Sequence, residues 1–531
     1  HPGRYRSVSA FAPIAAPSQV PWGQKALTAY LGANPQAWRA WDAAELVATA
    51  RQERLHLLVD RYAARPRKPH AVAPLKRARM TMIPFASLFP RRVWRAGLIT
   101  LVLATMGAAH AAIPIEQWTH ASGARVHLIN SPSIPMLDVQ IDFDGGRRRD
   151  PAQLAGLAGA TAGLLSGGVA AQAGQPALDE NALSEAWADL GAQFGAQATL
   201  DRFSVSLRSL TEPELLDRAV ALAARQLASP AWPQRVWQRD RERALAALKE
   251  AENRPGTLAG RTFAQAIYRA HPYGLQADAA SYNAITVGDM RAFYQRHVTS
   301  CRAQVSMVGA IDRAVANRIV DRLMTAVQPH GCSALPELPP VQPLQAAVDQ
   351  RLPFAAAQAQ VLVGQPGVPR TDPDFLPLFV GNYVLGGGGF VSRLMTEVRE
   401  KRGLTYGVSS YFVTGRQAGS FQISLTTRPD QAAQAVDVVR EVVRQFVAQG
   451  PTDAELQAAK DFLINGEALR LDSNRKLLDN VANIAWNDLP LNYLDTWAQQ
   501  VEKISVDDIR RAYARVLQPD RMVTVVVGAR P

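Results

Sequence analysis

The chain has 531 residues, 47% of them hydrophobic and 20% charged; this is globular composition with room for two to four domains, and it excludes a disordered polyelectrolyte. The formal net charge of +12 would suggest a nucleic-acid or anionic-membrane partner, but residues 1–111 hold 16 Lys and Arg against 4 Asp and Glu, leaving 42 of each sign in 112–531. The main body of the chain is therefore neutral, and no nucleic-acid partner is expected for it.

Taken in chain order, the first segment, 1–79, reads SVSAFAPIAAPSQVPWGQKALTAYLGANPQAWRAWDAAELV from Ser7 on. It resembles the S-formylglutathione hydrolases, an α/β-hydrolase esterase family, over about 60 residues. The nucleophile elbow G-x-S-x-G of that family is missing, and no Ser–His–Asp set can be assembled. The expectation is an esterase-like relic outside the native protein; the alternative is a genuine fused tail. Residues 80–111 follow as a secretory signal peptide. Arg91, Arg92 and Arg95 form its positive region, Ala96–Met106 its apolar run, and Ala109-His110-Ala111 an A-x-A cleavage site. Export is expected, to the periplasm if the source is Gram-negative. Cys301 and Cys332 are then candidates for a disulfide, although spacing alone leaves two free thiols equally open.

From 112 on, the spacing predicts strands at 115–131 and 136–144, helices at 150–166 and 180–190, and strands at 193–208. Helices at 213–227, 232–252 and 257–270 follow. An internal repeat organises the rest. ITVGDMRAFYQRHVTSCRAQVSMVGA (285–310) aligns without gaps to ISVDDIRRAYARVLQPDRMVTVVVGA (504–529). Ten of 26 positions are identical, including Asp289/Asp508, Tyr294/Tyr513, Arg296/Arg515 and Gly309/Gly528. Each copy reads as a Thr- or Ser-capped amphipathic helix followed by a β-branched strand ending in Gly. Upstream, the strand–turn–helix from Phe203 pairs with the one from Phe421. The expected fold class is therefore α+β, with two homologous domains, 112–330 and 348–531, joined by a Pro-rich linker, 331–347. Each would be a mostly antiparallel sheet packed against helices.

In the second half, a strand at 358–364, helices at 373–386 and 390–402 and strands at 404–426 are expected, with helices on to 517. The run LGGGGFVSRLMTEVREKRGLTYGVSSYF (385–412) contains four consecutive glycines. A phosphate loop is excluded, because no Lys-Ser/Thr follows to supply the cation and the metal hydroxyl.

This run resembles the pitrilysin–insulinase–processing-peptidase superfamily, the inverzincin zinc peptidases. SRL, VREK, GLTYGV and the preceding glycine turn carry the resemblance, and HPYG at 271–274 carries it in the first half. It covers about 114–531 and implies half of a clam-shell closing around a peptide. The family's catalysis needs H-x-x-E-H on a first-half helix, two His for zinc and a Glu to activate water, plus a further Glu downstream. The matching stretch here is GLAGATAG. Gly159 and Gly163 stand at the two His positions and Ala162 at the base; the downstream Glu falls on Ala246 or Ala247. Of the five His in 112–531 (His120, His127, His271, His297, His330), no two are spaced i, i+4. No metal is expected in this chain.

Arg399 and Tyr406 match the family pair that binds the scissile carbonyl from the half opposite the metal, as strong donors aimed at a developing oxyanion. On spacing alone they could equally be an exposed helix Arg and a strand Tyr. The resemblance implies a non-catalytic, substrate-binding subunit that presents this pair to a separate H-x-x-E-H subunit holding the zinc, with a peptide captured by strand addition. A structural scaffold without a role in proteolysis is the alternative, and a zinc endopeptidase active on its own a second.

Overall fold

In this computed structural model the described residues are 113–528, apart from 173, 328–331 and 333; the segments 1–79 and 80–111, with the expected signal peptide, and His330 lie outside them. A turn at Gly123, whose φ of +88° is left-handed, splits the first expected strand into β1 (Glu116–Thr119) and β2 (Arg125–Asn130). β3 (Met136–Phe143) follows, then α1 (Leu157–Leu164). The helix expected from 150 starts seven residues later because Gly156, at φ +101°, cannot extend it backward. A short hairpin, β4 (Gly168–Val169) with β5 (Leu178–Asp179), leads to α2 (Glu180–Asp189), β6 (Gln193–Ala198) and β7 (Phe203–Leu210). Four helices come next: α3 (Pro213–Ala228), α4 (Gln234–Ala251), α5 (Pro255–Tyr268) and α6 (Ala279–Ala284). α7 (Val287–His297), β8 (Gln304–Gly309) and α8 (Arg313–Ala326) complete the first half.

The second half opens with β9 (Val348–Leu352) and β10 (Ala359–Pro366), then α9 (Phe375–Asn382). The expected helices at 373–386 and 390–402 become something looser. α9 widens into a π turn (Tyr383–Gly387), and after the glycines the chain forms a second π turn (Met395–Glu400). Then come β11 (Thr405–Phe412), β12 (Ser420–Thr427), α10 (Ala432–Gln449), α11 (Asp453–Asn465), α12 (Asn474–Trp486), α13 (Tyr493–Lys503), α14 (Val506–Val516) and β13 (Val523–Val527).

The first sheet runs β1-β2-β8-β3-β7-β6 and the second β11-β12-β10-β13-β9. Read from its far edge, the second repeats the first without β1. β9 lies parallel to β13 as β2 does to β8, and the remaining pairs are antiparallel in both. The repeated helices are built alike. Thr286 and Asp289 form a capping box on α7, and Ser505 and Asp508 form the same box on α14. The buried hydroxyls of Tyr294 and Tyr513 donate to the carbonyls of Leu227 (2.8 Å) and Leu378 (3.1 Å). The chain is thus α+β, with antiparallel-rich sheets packed on helices.

The two sequence halves exchange helices. From the first half, α5 places Ala259, Phe263 and Ile267 against Leu362, Val523, Val525 and Val527 of the second sheet. From the second half, α12 places Leu478, Val481 and Ile484 against Ile129 and Val308 of the first sheet. Gly364 in β10 makes room for this packing, since a Cβ there would lie 2.9 Å from the Phe263 ring and 2.0 Å from the Phe421 carbonyl oxygen.

The Pro-rich linker is strapped to the first half. Cys301 and Cys332 form a disulfide with Cα atoms 5.9 Å apart. Arg149 donates to the Pro336 carbonyl (2.6 Å), Arg269 to that of Pro343 (3.0 Å), and the His271 ring bonds that of Pro339 (2.9 Å). HPYG is accordingly a structural clasp. Tyr273 donates to Asp201 (2.6 Å), and Asp201 and the Tyr273 oxygen accept backbone N–H groups of Arg416 and Gln417 from the second half (both 3.0 Å). Gly415 permits the approach: a Cβ there would fall 2.6 Å from Asp201 and 2.7 Å from the Tyr273 hydroxyl. Burial, then the neighbouring Asp201 charge, raise the Tyr273 phenol far above its ordinary range, keeping it a donor.

Candidate functional site

Two places hold the positions that the family resemblance singles out. The first is α1. Its N-terminal N–H groups are capped from a distance, as buried Asp150 accepts from Gly156 N and Ala158 N (both 2.9 Å). Burial outweighs those bonds and pushes the Asp150 carboxyl up to about 6. Leu157, Ala158, Thr161, Ala162 and Leu164 face the core, and the Thr161 hydroxyl donates to the Leu157 carbonyl (2.7 Å). Gly159 and Gly163 point the other way. A Cβ built on either meets nothing within 4 Å, so close packing is not the reason for these glycines. The helix presents two empty positions one turn apart on its open face. Ala246 and Ala247 are exposed on α4.

None of these positions carries a nitrogen, oxygen or sulfur ligand, so the residues present do not fit a zinc ion. Among the described residues no three His, Cys, Asp or Glu side chains converge on one point. The described histidines are engaged separately. His120 bonds Ser122 and Asp321, His271 the linker, and His297 the Asp144 carbonyl (2.9 Å). His127 is buried in β2.

The second place is the turn from the Met395–Glu400 segment into β11. Gly403, at φ +62°, ends the helical run: its N–H bonds the Arg399 carbonyl (2.9 Å), and Leu404 N bonds that of Val398 (3.0 Å). Val408 N on β11 contacts the Met395 sulfur (3.4 Å), tying the strand to the segment. The charged side chains here divide sharply. Arg393 makes a two-pronged bond to Glu455 (2.8 and 2.7 Å) and a third to the Gly450 carbonyl. This holds the Glu455 carboxyl down at about 2. Glu397 is taken by Lys401 and Arg402 (2.7 Å each). Arg399 has no carboxylate within ion-pair reach among the described residues; its guanidinium carbon lies 4.7 Å from the centre of the Phe390 ring.

Tyr406 is 88% exposed and its hydroxyl bonds no other described residue. It occupies a bulge. Thr405 pairs with Thr427 and Val408 with Leu425, so Tyr406 and Gly407 together oppose Thr426. The Thr405 hydroxyl pins the bulge by donating to the Thr426 carbonyl (2.7 Å) and accepting from Gly407 N (3.1 Å). β11 is also the edge of its sheet, with one row of backbone groups unpaired by any other strand. Sequence reading did not single out Phe390, which follows the four glycines.

Residues 284–463 match the family described as the peptidase M16 inactive domain, and residues 1–61 match an esterase family. The crystal structure of a peptidase M16 inactive domain from Pseudomonas fluorescens superposes with a TM-score of 0.74 at 32% identity, covering 78% of this chain and 98% of that one. The chain belongs to the peptidase M16 inactive-domain family. This bears out the inverzincin resemblance, and the protein is an inactive M16 homologue. A Helicobacter pylori non-peptidase homolog is 26% identical over 423 residues, 78% of this chain and 93% of its own length. An uncharacterized zinc protease of Streptomyces coelicolor is 29% identical over 298 residues; the match spans 54% of this M16 chain and 63% of that relative.

Proposed function

We propose that this chain is the non-catalytic, substrate-binding subunit of a two-chain zinc metallopeptidase. One contrast carries the reading: the metal positions Gly159 and Gly163 and the base position Ala162 carry no functional side chain, while Arg399 and Tyr406 keep donors that no other described residue uses. A guanidinium and a phenol held at a sheet edge suit a peptide carbonyl whose oxygen becomes negative during attack. The open β11 edge offers backbone groups to an extended peptide of varied sequence. The zinc and its base would come from a homologous H-x-x-E-H subunit, and the substrate is an unfolded peptide or small polypeptide. The Cys301–Cys332 bridge supports an exported, oxidising location, reached through the 80–111 leader.

The test is peptide hydrolysis by the purified chain alone and mixed with an H-x-x-E-H homologue from the same organism. Turnover only in the mixture is expected. Turnover by this chain alone would point to ligands other than those considered, and none in either case would favour a scaffold.

A further inference from the structure

Arg399 is the one arginine between 393 and 402 with no carboxylate partner among the described residues, yet its guanidinium is not left to wander. It lies over the ring of Phe390, which is 54% exposed and so is not explained as core. The loop that brings the ring there is closely specified. Gly388 packs where a Cβ would fall 2.7 Å from the Tyr383 carbonyl oxygen and 3.0 Å from its ring, and Gly389 takes φ +61°. The Ser392 hydroxyl and N–H both bond the Gly389 carbonyl (2.8 and 3.1 Å), closing the turn on which Phe390 stands.

A carboxylate would fix the guanidinium by occupying its in-plane N–H donors, the groups a peptide carbonyl needs. An aromatic face fixes it from above and leaves those donors free. We propose that Phe390 is a positioning residue that holds Arg399 ready for the substrate carbonyl, and that Gly388 and Gly389 shape the turn that presents this ring. The inference rests on the subunit role proposed above.

It is tested on the full chain mixed with its H-x-x-E-H homologue. Phe390→Leu is expected to lower kcat about two- to fivefold with KM little changed. Phe390→Tyr should restore the rate. In an Arg399→Ala background Phe390→Leu should have no further effect, because the ring would then have nothing to hold. An equal loss in both backgrounds, or full activity of Phe390→Leu, would overturn the proposal while leaving the subunit role intact. An inactive wild-type mixture would overturn both. In the chain alone, the Arg399 side-chain protons should be shifted upfield by the ring in NMR spectra and lose that shift in Phe390→Leu; unshifted protons would overturn the contact itself.

Discussion

At the scale of single residues, the glycines of α1 separate two explanations for a small side chain. Packing would require Gly159 and Gly163, whereas loss of ligands only permits them. With open space at both Cβ positions, Gly159→Ala and Gly163→Ala are each expected to stabilise the protein by about 0.5–1 kcal/mol, since Ala restricts the unfolded chain and favours helix. Denaturant midpoints check this, and a loss of stability would show that the face is covered. Histidines provide a second residue-scale prediction. Burial lowers His127 and His297 from 6.5 to about 4, so between those values the unfolded chain binds more protons than the folded one. Their stabilising contribution is complete above about pH 6.5 and is lost as pH falls toward 4. Asp150, raised to about 6, works in the opposite direction over much of the same window. His271 is lowered by burial as well and Asp138 raised by burial, so three rings stand against two carboxyls and a net loss on acidification is expected, which a series of melting temperatures from pH 7 to 4 would show. His127→Gln should flatten it.

At the scale of elements, much was legible because both periodicities were strong. The repeat at 285–310 and 504–529 became two matching capped helices and two matching strands. The misses have local causes. β9 carries Asp349, Gln350 and Arg351 on a parallel edge, so it has no apolar alternation to read. The two π turns look helical in sequence, and the helical period does not distinguish an i→i+5 turn from an α turn. The exchange of α5 and α12 was also hidden, because an amphipathic stripe states that a face is buried and not against which sheet. That exchange makes a prediction. Phe263→Ala, in the first half of the sequence, should cost about 3–5 kcal/mol and loosen the second sheet, β10 and β13, first. Hydrogen exchange resolved by residue would show which sheet responds; a response confined to β2, β3 and β8 would contradict the packing.

At the scale of the whole molecule, the proposed function divides the family chemistry: α1 carries no side-chain ligand, and the turn into β11 carries the Arg399 and Tyr406 donors. The residues of the proposed site were named from the sequence by resemblance alone: Gly159, Ala162, Gly163, Arg399 and Tyr406. Their physical state was not legible there, because the freedom of the Arg399 and Tyr406 donors depends on which neighbours Glu397, Glu455 and Phe390 choose. The central claim is that these donors act in trans, and the turnover of Tyr406→Phe in the assembled pair tests it most directly. The substitution removes one hydroxyl from a side chain that supports no core, so assembly should be unchanged. The account expects kcat to fall by about 10²–10³. Undiminished kcat in a fully assembled Tyr406→Phe pair would contradict it.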